Sequence, residues 1–192
     1  MKILIIDNYD SFTFNLVQLI GKNKTQIEII RNDEIGINDI KLVKPAKIII
    51  SPGPGRPEYS GLSLEVIKNF GKKIPILGVC LGMQAICHTF GAEIINSNKI
   101  FHGKTSLIQH IGKGLFTEIP QQFEAMRYHS LIVKRNTLPN EIEITATTQE
   151  GTIMGIKHKI YPMDGVQFHP ESILTSAGRK IVHNWIEQSN FN

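Results

Sequence analysis

Short β-branched runs alternate with amphipathic segments through the first half of this 192-residue chain, and that alternation restricts it to a parallel sheet with helices packed on it. Lys2 to Asp7 precedes Ser11 to Lys22, Gln26 to Arg31 precedes Asn38 to Val43, and Lys47 to Ser51 precedes Leu62 to Phe70. Ile74 to Val79 supplies a further apolar strand, and Leu81 to Phe90 a helix stopped by Gly91. Strands joined by crossover helices are covered on both sides and so read as continuous apolar runs. The expected fold is α/β, an open, mostly parallel twisted sheet of flavodoxin-like type with helices on both faces. Ligands of such sheets sit at the carboxyl ends of the strands.

From Ala92 to His169 the strands shorten, as in Glu141 to Thr147 and Thr152 to His158, with turns expected at Gly151 and at Pro162-Met163-Asp164-Gly165. This is a small antiparallel portion built of hairpins. Ser176 to Gln188 closes the chain as a helix, with Ile181, Val182, Trp185 and Ile186 forming an apolar stripe behind Ser176 as N-cap. Without repeat, linker or low-complexity tract, residues 1–192 read as one domain, long enough to bury a substantial core.

The formal charge of +4 comes from Lys spread along the chain, with no block of like charge that would mark a nucleic-acid arm. The apolar run at Met1 meets Asp7 too soon for a signal-peptide core or a membrane span. Two cysteines, Cys80 and Cys87, share one apolar stretch and suggest neighbouring helical turns in a reducing compartment, not a disulfide framework.

Cys80 is the more informative of the two. A buried strand runs straight into a helix through Gly78-Val79-Cys80-Leu81-Gly82, the nucleophile-elbow pattern with Cys in place of Ser. The elbow requires a strained turn at its centre and small residues two positions either side, so that strand and helix can approach. An exposed thiol at a helix N-terminus is expected, where the helix dipole favours the reactive thiolate. Cys87 lacks the glycine pair and reads as packing.

A thiolate nucleophile needs a base, and the base an orienting acid. His169-Pro170-Glu171 offers both: Pro170 favours an extended His169, and residues i and i+2 of an extended segment point the same way. Among the other histidines, His110, His158 and His183 lie in polar or amphipathic segments and are expected at the surface, and His88 falls on the helix after the elbow. No pair has metal-ligand spacing, so no zinc site is expected. Ser51-Pro52-Gly53-Pro54-Gly55-Arg56-Pro57, at the end of the strand from Lys47, lacks the Lys-Ser/Thr of a phosphate loop. Stiffened by proline and bared by glycine, it suits an oxyanion hole.

Together these segments resemble the class I, or triad, glutamine amidotransferases, over essentially the whole chain. Asp7-Asn8-Tyr9-Asp10-Ser11-Phe12, His102-Gly103-Lys104 and Tyr128-His129-Ser130-Leu131 resemble more narrowly component II of anthranilate synthase and its relative in aminodeoxychorismate synthase. The resemblance implies Cys80 as nucleophile and His169 and Glu171 as the rest of the triad. It also implies glutamine contacts from Gly53, Pro54, Gly55, Gln84, Ser130 and Leu131, and an oxyanion hole from the Gly53 and Leu81 backbone N–H groups. No metal or organic cofactor is implied in this chain; magnesium would belong to a chorismate-binding synthase large subunit, paired with it as a heterodimer or heterotetramer. The loops Asp10 to Phe12, Pro52 to Gly55 and His102 to Lys104 are the expected docking surface for that partner.

A free-standing γ-glutamyl hydrolase would share the Cys-His logic but work without a partner, and a thiol sensor would need neither His-Pro-Glu nor the Pro-Gly-Pro-Gly loop. Glutaminases of GMP or carbamoyl phosphate synthesis are argued against by the Asp-Asn-Tyr-Asp-Ser-Phe opening. The 32 Ile residues and the absence of a transit peptide fit a plastid-encoded protein of the stroma or, failing that, a bacterial cytoplasmic one.

Overall fold

The computed structural model describes residues 1–21, 25–97 and 103–188. The elements run β1 (Lys2–Asp7), α1 (Thr13–Ile20), β2 (Gln26–Arg31), α2 (Ile37–Val43), β3 (Lys47–Ile50), α3 (Leu62–Phe70), β4 (Ile76–Val79) and α4 (Leu81–Thr89) through the first half. The second half holds β5 (Ile94–Asn96), β6 (Lys104–His110), β7 (Phe123–Arg127), β8 (Leu131–Val133), β9 (Ile142–Thr148), β10 (Ile153–His158), β11 (Met163–Val166) and α5 (Gly178–Glu187). Nine strands form one sheet in the order β2-β1-β3-β4-β11-β10-β9-β6-β7, and β5 pairs with β8 apart from it.

The sheet changes character at β11. The strands β2, β1, β3 and β4 are mutually parallel, β11 is parallel to β4, and every pairing beyond it is antiparallel. Alternation along the buried strands splits the core in two. Leu4, Ile6, Ile48 and Ile50 face α2, α3 and α4, whereas Ile3, Ile5 and Ile49 face α1 and α5 with Trp185. The apolar runs are continuous because both faces are covered. The parallel sheet and antiparallel hairpins are therefore as expected. No described helix is long and apolar enough to cross a membrane.

Local structure departs from the sequence pattern at several points. Met163 to Gly165 lies not in a turn but in β11, the strand between β4 and β10; the turn falls earlier, at Lys159 to Pro162, where two buried partners leave no room for it later. His158 is buried, not superficial: its ring packs between Phe90 and Tyr161 at centroid distances of 4.7 and 4.5 Å, and Nδ1 accepts the N–H groups of Ile160 and Tyr161. Ser176 does not cap α5, whose N-cap is Ala177 without a side-chain hydrogen bond. Tertiary contact fixes that start instead, since a Cβ on Gly178 would collide with the Pro170 carbonyl oxygen. Helix α1 begins at Thr13 because the Asp7 carboxylate accepts the Asp10 N–H and the Thr13 hydroxyl at 3.1 and 2.7 Å, holding the intervening residues in a loop. His183 is exposed as expected, and His102 lies outside the described residues.

Candidate active site

Cys80 sits between β4 and α4 with φ 51° and ψ −100°, a conformation costly for a side-chain-bearing residue. Its N–H donates to the Val166 carbonyl at 2.8 Å, which anchors the turn to β11. The flanking glycines are sterically required. A Cβ on Gly78 would lie 2.5 Å from the Gly82 carbonyl carbon, and one on Gly82 would strike the Ile50 carbonyl oxygen and crowd the Ile50 side chain at 3.0 Å. Gly82→Ala should therefore destabilise the protein by about 1–3 kcal/mol, because backbone of β3 and α4 must separate. Urea unfolding measures it, and an unchanged midpoint would refute the packing argument.

Contrary to expectation the Cys80 residue is not exposed; 7% of it is accessible. The chain from Tyr128 to Leu131 folds over the elbow and leaves a cavity of about 130 Å³ lined by Gly53, Pro54, Gly55, Cys80, Leu81, Gln84, Tyr128, His129, Ser130 and Leu131. All six expected glutamine-contact residues, and both expected oxyanion donors, thus meet at one cavity with the thiol. A Cβ on Gly53 would fall 2.5 Å from Asn8 Cβ and 2.8 Å from Leu81 Cδ2, so only glycine allows the loop this close to the elbow. Leu81 opens α4, where the N–H has no acceptor within its own helix. Gln84 donates through Nε2 to Leu131 O and to Gln167 Oε1, each at 3.0 Å, which leaves its carbonyl oxygen as the group it can offer a ligand.

His169 and Glu171 follow β11. His169 Nδ1 and Glu171 Oε1 are 2.6 Å apart, with the histidine 3% and the glutamate 8% accessible. The pair forms in a turn, not in extended chain, because Pro170 starts a reversal in which Ser172 N–H returns to the His169 carbonyl at 3.3 Å. Burial by itself would lower the His169 pKa, but the Cys80 sulfur and the Glu171 carboxylate outweigh it and raise it to about 10. His169 Nε2, on the ring edge away from Glu171, is buried and makes no hydrogen bond in this state. Catalytic hydrogen bonds commonly tighten only when substrate arrives.

Sequence reasoning did not assign the supporting residues. Asn8 pins the Pro-Gly-Pro-Gly loop: its N–H donates to Ser51 Oγ, its Nδ2 to Ser51 O, and its Oδ1 accepts from Asn32 and Ser63. Gln167 Nε2 reaches Cys80 Sγ at 3.5 Å. Thr175 Oγ1 donates to the His169 carbonyl at 2.6 Å, and Tyr128 meets the His169 ring edge-on at 5.1 Å. His129, buried beside Arg127, has its pKa pushed down to about 3 by burial and by the guanidinium, which keeps it neutral. Asn8 and Gln167 stand inside recognisable motifs, but only their partners reveal what they do.

The family model for class-I glutamine amidotransferases matches residues 4–189. The chain belongs to that family. Component 2 of the aminodeoxychorismate/anthranilate synthase of Bacillus subtilis is 51% identical over 185 residues, covering 96% of this chain and 95% of that protein. The bifunctional protein TrpGD of Thermotoga maritima is 51% identical over 187 residues; the chain spans 32% of its length. The crystal structure of a glutamine amidotransferase from the same organism superposes with a TM-score of 0.80 over 98% of this chain and 99% of that one, a likeness of fold at 15% identity. Cys80, His169 and Glu171 lie within the matched region.

Proposed function

We propose that this glutamine amidotransferase is the glutaminase subunit of anthranilate synthase, delivering ammonia to a chorismate-binding synthase subunit. The juxtaposition of Cys80, on its strained elbow, with the His169–Glu171 pair carries the chemical half of this reading. Cys80 thiolate attacks the carboxamide carbon of glutamine, and the oxyanion that forms is held by the Gly53 and Leu81 N–H groups. His169 gives its proton to the amine as the C–N bond breaks, ammonia leaves, and a γ-glutamyl thioester remains. The neutral imidazole then takes a proton from water, whose oxygen displaces Cys80 and releases glutamate. Glu171 orients the ring and stabilises its charged form. Gly53, Pro54, Gly55, Gln84, Ser130 and Leu131 surround the substrate.

The component 2 relative of Bacillus subtilis supports the biological half, and its double name supports a second reading, service to aminodeoxychorismate synthase as well. Magnesium is assigned to the synthase subunit, with the chain itself working without a metal or organic cofactor. Exposed Ile173 and Leu174, 96% and 53% accessible, lie in the turn after Glu171 and suit a partner's docking face. The chain alone should release glutamate slowly, and adding an anthranilate synthase large subunit with chorismate should raise the rate at least several-fold (roughly a 1 kcal/mol effect on the barrier). Full activity in isolation would favour a free-standing hydrolase.

A further inference from the structure

Asp10 contributes nothing to the mechanism above, yet a carboxylate oxygen of Asp10, a ring nitrogen of His169 and a carboxylate oxygen of Glu171 lie within 4.8 Å of one another. Asp10 Oδ2, Glu171 Oε2 and His169 Nε2 are all buried and make no hydrogen bond. A buried carboxylate oxygen without a donor is costly and calls for a compensating charge. The positive charge available is the imidazolium of His169. The backbone of Asp10 is fixed on both sides, its N–H donating to Asp7 Oδ1 and its carbonyl accepting from Thr13 N–H at 3.2 Å. Phe12, two residues on, stacks on Tyr128 at 5.3 Å and meets the His169 ring at 6.0 Å, so the loop is packed against the histidine.

We infer that Asp10 is a positioning residue for His169, its carboxylate supplying a second negative charge beside Glu171 that holds the imidazolium in place until ammonia departs. This rests on His169 acting as the acid and base of the proposed reaction. Among the described residues, the titratable groups facing the ring are Cys80 from the elbow, Glu171 from its own turn, Asp10 from the loop after β1, and Tyr128 and His129 from the segment after β7, with Asp7 behind Asp10. Of these His129 is neutral, which leaves the carboxylates and the sulfur to set the charge on His169. The Asp10 carboxyl is itself raised, by burial first and by Glu171, and lowered by His169, the pattern of an acid whose ionisation depends on the imidazolium.

The test is the pH dependence of glutamine hydrolysis by the full chain, with kcat and KM measured for wild type, Asp10→Asn and Asp10→Glu in EDTA, so that no divalent cation bridges the cluster. Asp10→Asn should lower kcat by about tenfold with KM within about twofold, and move the alkaline limb of the profile to lower pH, because the ring loses a neighbouring anion. Asp10→Glu, which keeps the charge, should return the limb towards the wild-type position. A limb that stays put in Asp10→Asn, whether or not kcat falls, would make Asp10 structural and overturn the inference. Should Asp10→Asn fail to fold, a folded Asp10→Glu whose limb moves as far as that of a histidine without a second anion overturns it equally. Hydrolysis of glutamine by His169→Ala at the wild-type rate would instead remove the mechanism beneath it, a result separable from any outcome at Asp10.

Discussion

Cys80→Ser should abolish glutamine-dependent product formation, lowering it by about 10⁴-fold or more, while synthesis from added ammonium salt by the partner subunit persists. The hydroxyl is a far poorer nucleophile than a thiolate at neutral pH, and Ser fits the same elbow without adding bulk between Gly78 and Gly82. The salt-dependent reaction bypasses this chain, so its survival separates loss of nucleophile from loss of assembly. Cys87→Ser should leave both activities near wild type. Cys87 is fully buried on α4, where burial pushes its thiol up to about 12 and keeps it protonated and inert. Full glutamine-dependent turnover in Cys80→Ser would disprove the nucleophile assignment.

His169→Ala should slow thioester formation by about 10²–10⁴-fold, the usual contribution of a positioned acid–base group. Glu171→Ala should be milder by about 10- to 100-fold, since it orients and stabilises the ring without itself exchanging the proton. The pH profiles should differ in a defined direction. With its pKa raised to about 10, His169 stays protonated through neutral pH in the free enzyme, and activity is lost on the alkaline side as that proton leaves. In Glu171→Ala the ring loses a group that raises it, so the alkaline loss moves to lower pH. Mass spectrometry of Cys80 after reaction with a glutamine-analogue chloroketone gives an independent readout. Undiminished labelling in His169→Ala would count against this histidine as the activating base.

Much of the architecture is legible in linear sequence because its determinants are local or periodic. Leu62 to Phe70 is a helix with the bounds its pattern suggests, and α4 begins at Leu81 and ends at Thr89, one residue short of expectation. The elbow is readable for a steric reason: glycine at 78 lets β4 and α4 approach and glycine at 82 lets α4 lie against Ile50 of β3, so spacing alone marks the turn. Where local signals compete with packing, the reading fails. Pro162 to Gly165 has turn composition, but Met163, Asp164, Gly165 and Val166 fill the gap between β4 and β10, and ladder hydrogen bonds on two sides override the preference. Ser176 is a favoured cap residue, yet the contact of Gly178 with Pro170 decides where α5 starts.

The parallel α/β half, the place of the cysteine at a strand-to-helix elbow, and the adjacency of His169 and Glu171 all follow from residue spacing within about ten positions. Long-range packing sets the rest: Asn8 pins the Pro-Gly-Pro-Gly loop, Gln84 and Gln167 tie Leu131 to the Cys80 sulfur, Tyr128 to Leu131 lines the cavity beside the thiol, and Asp10 joins the histidine from the far end of the chain. These contacts bring together residues 43 to 159 positions apart in sequence. Their energies depend on distances through space and on burial, and neither is encoded in any local period of the chain.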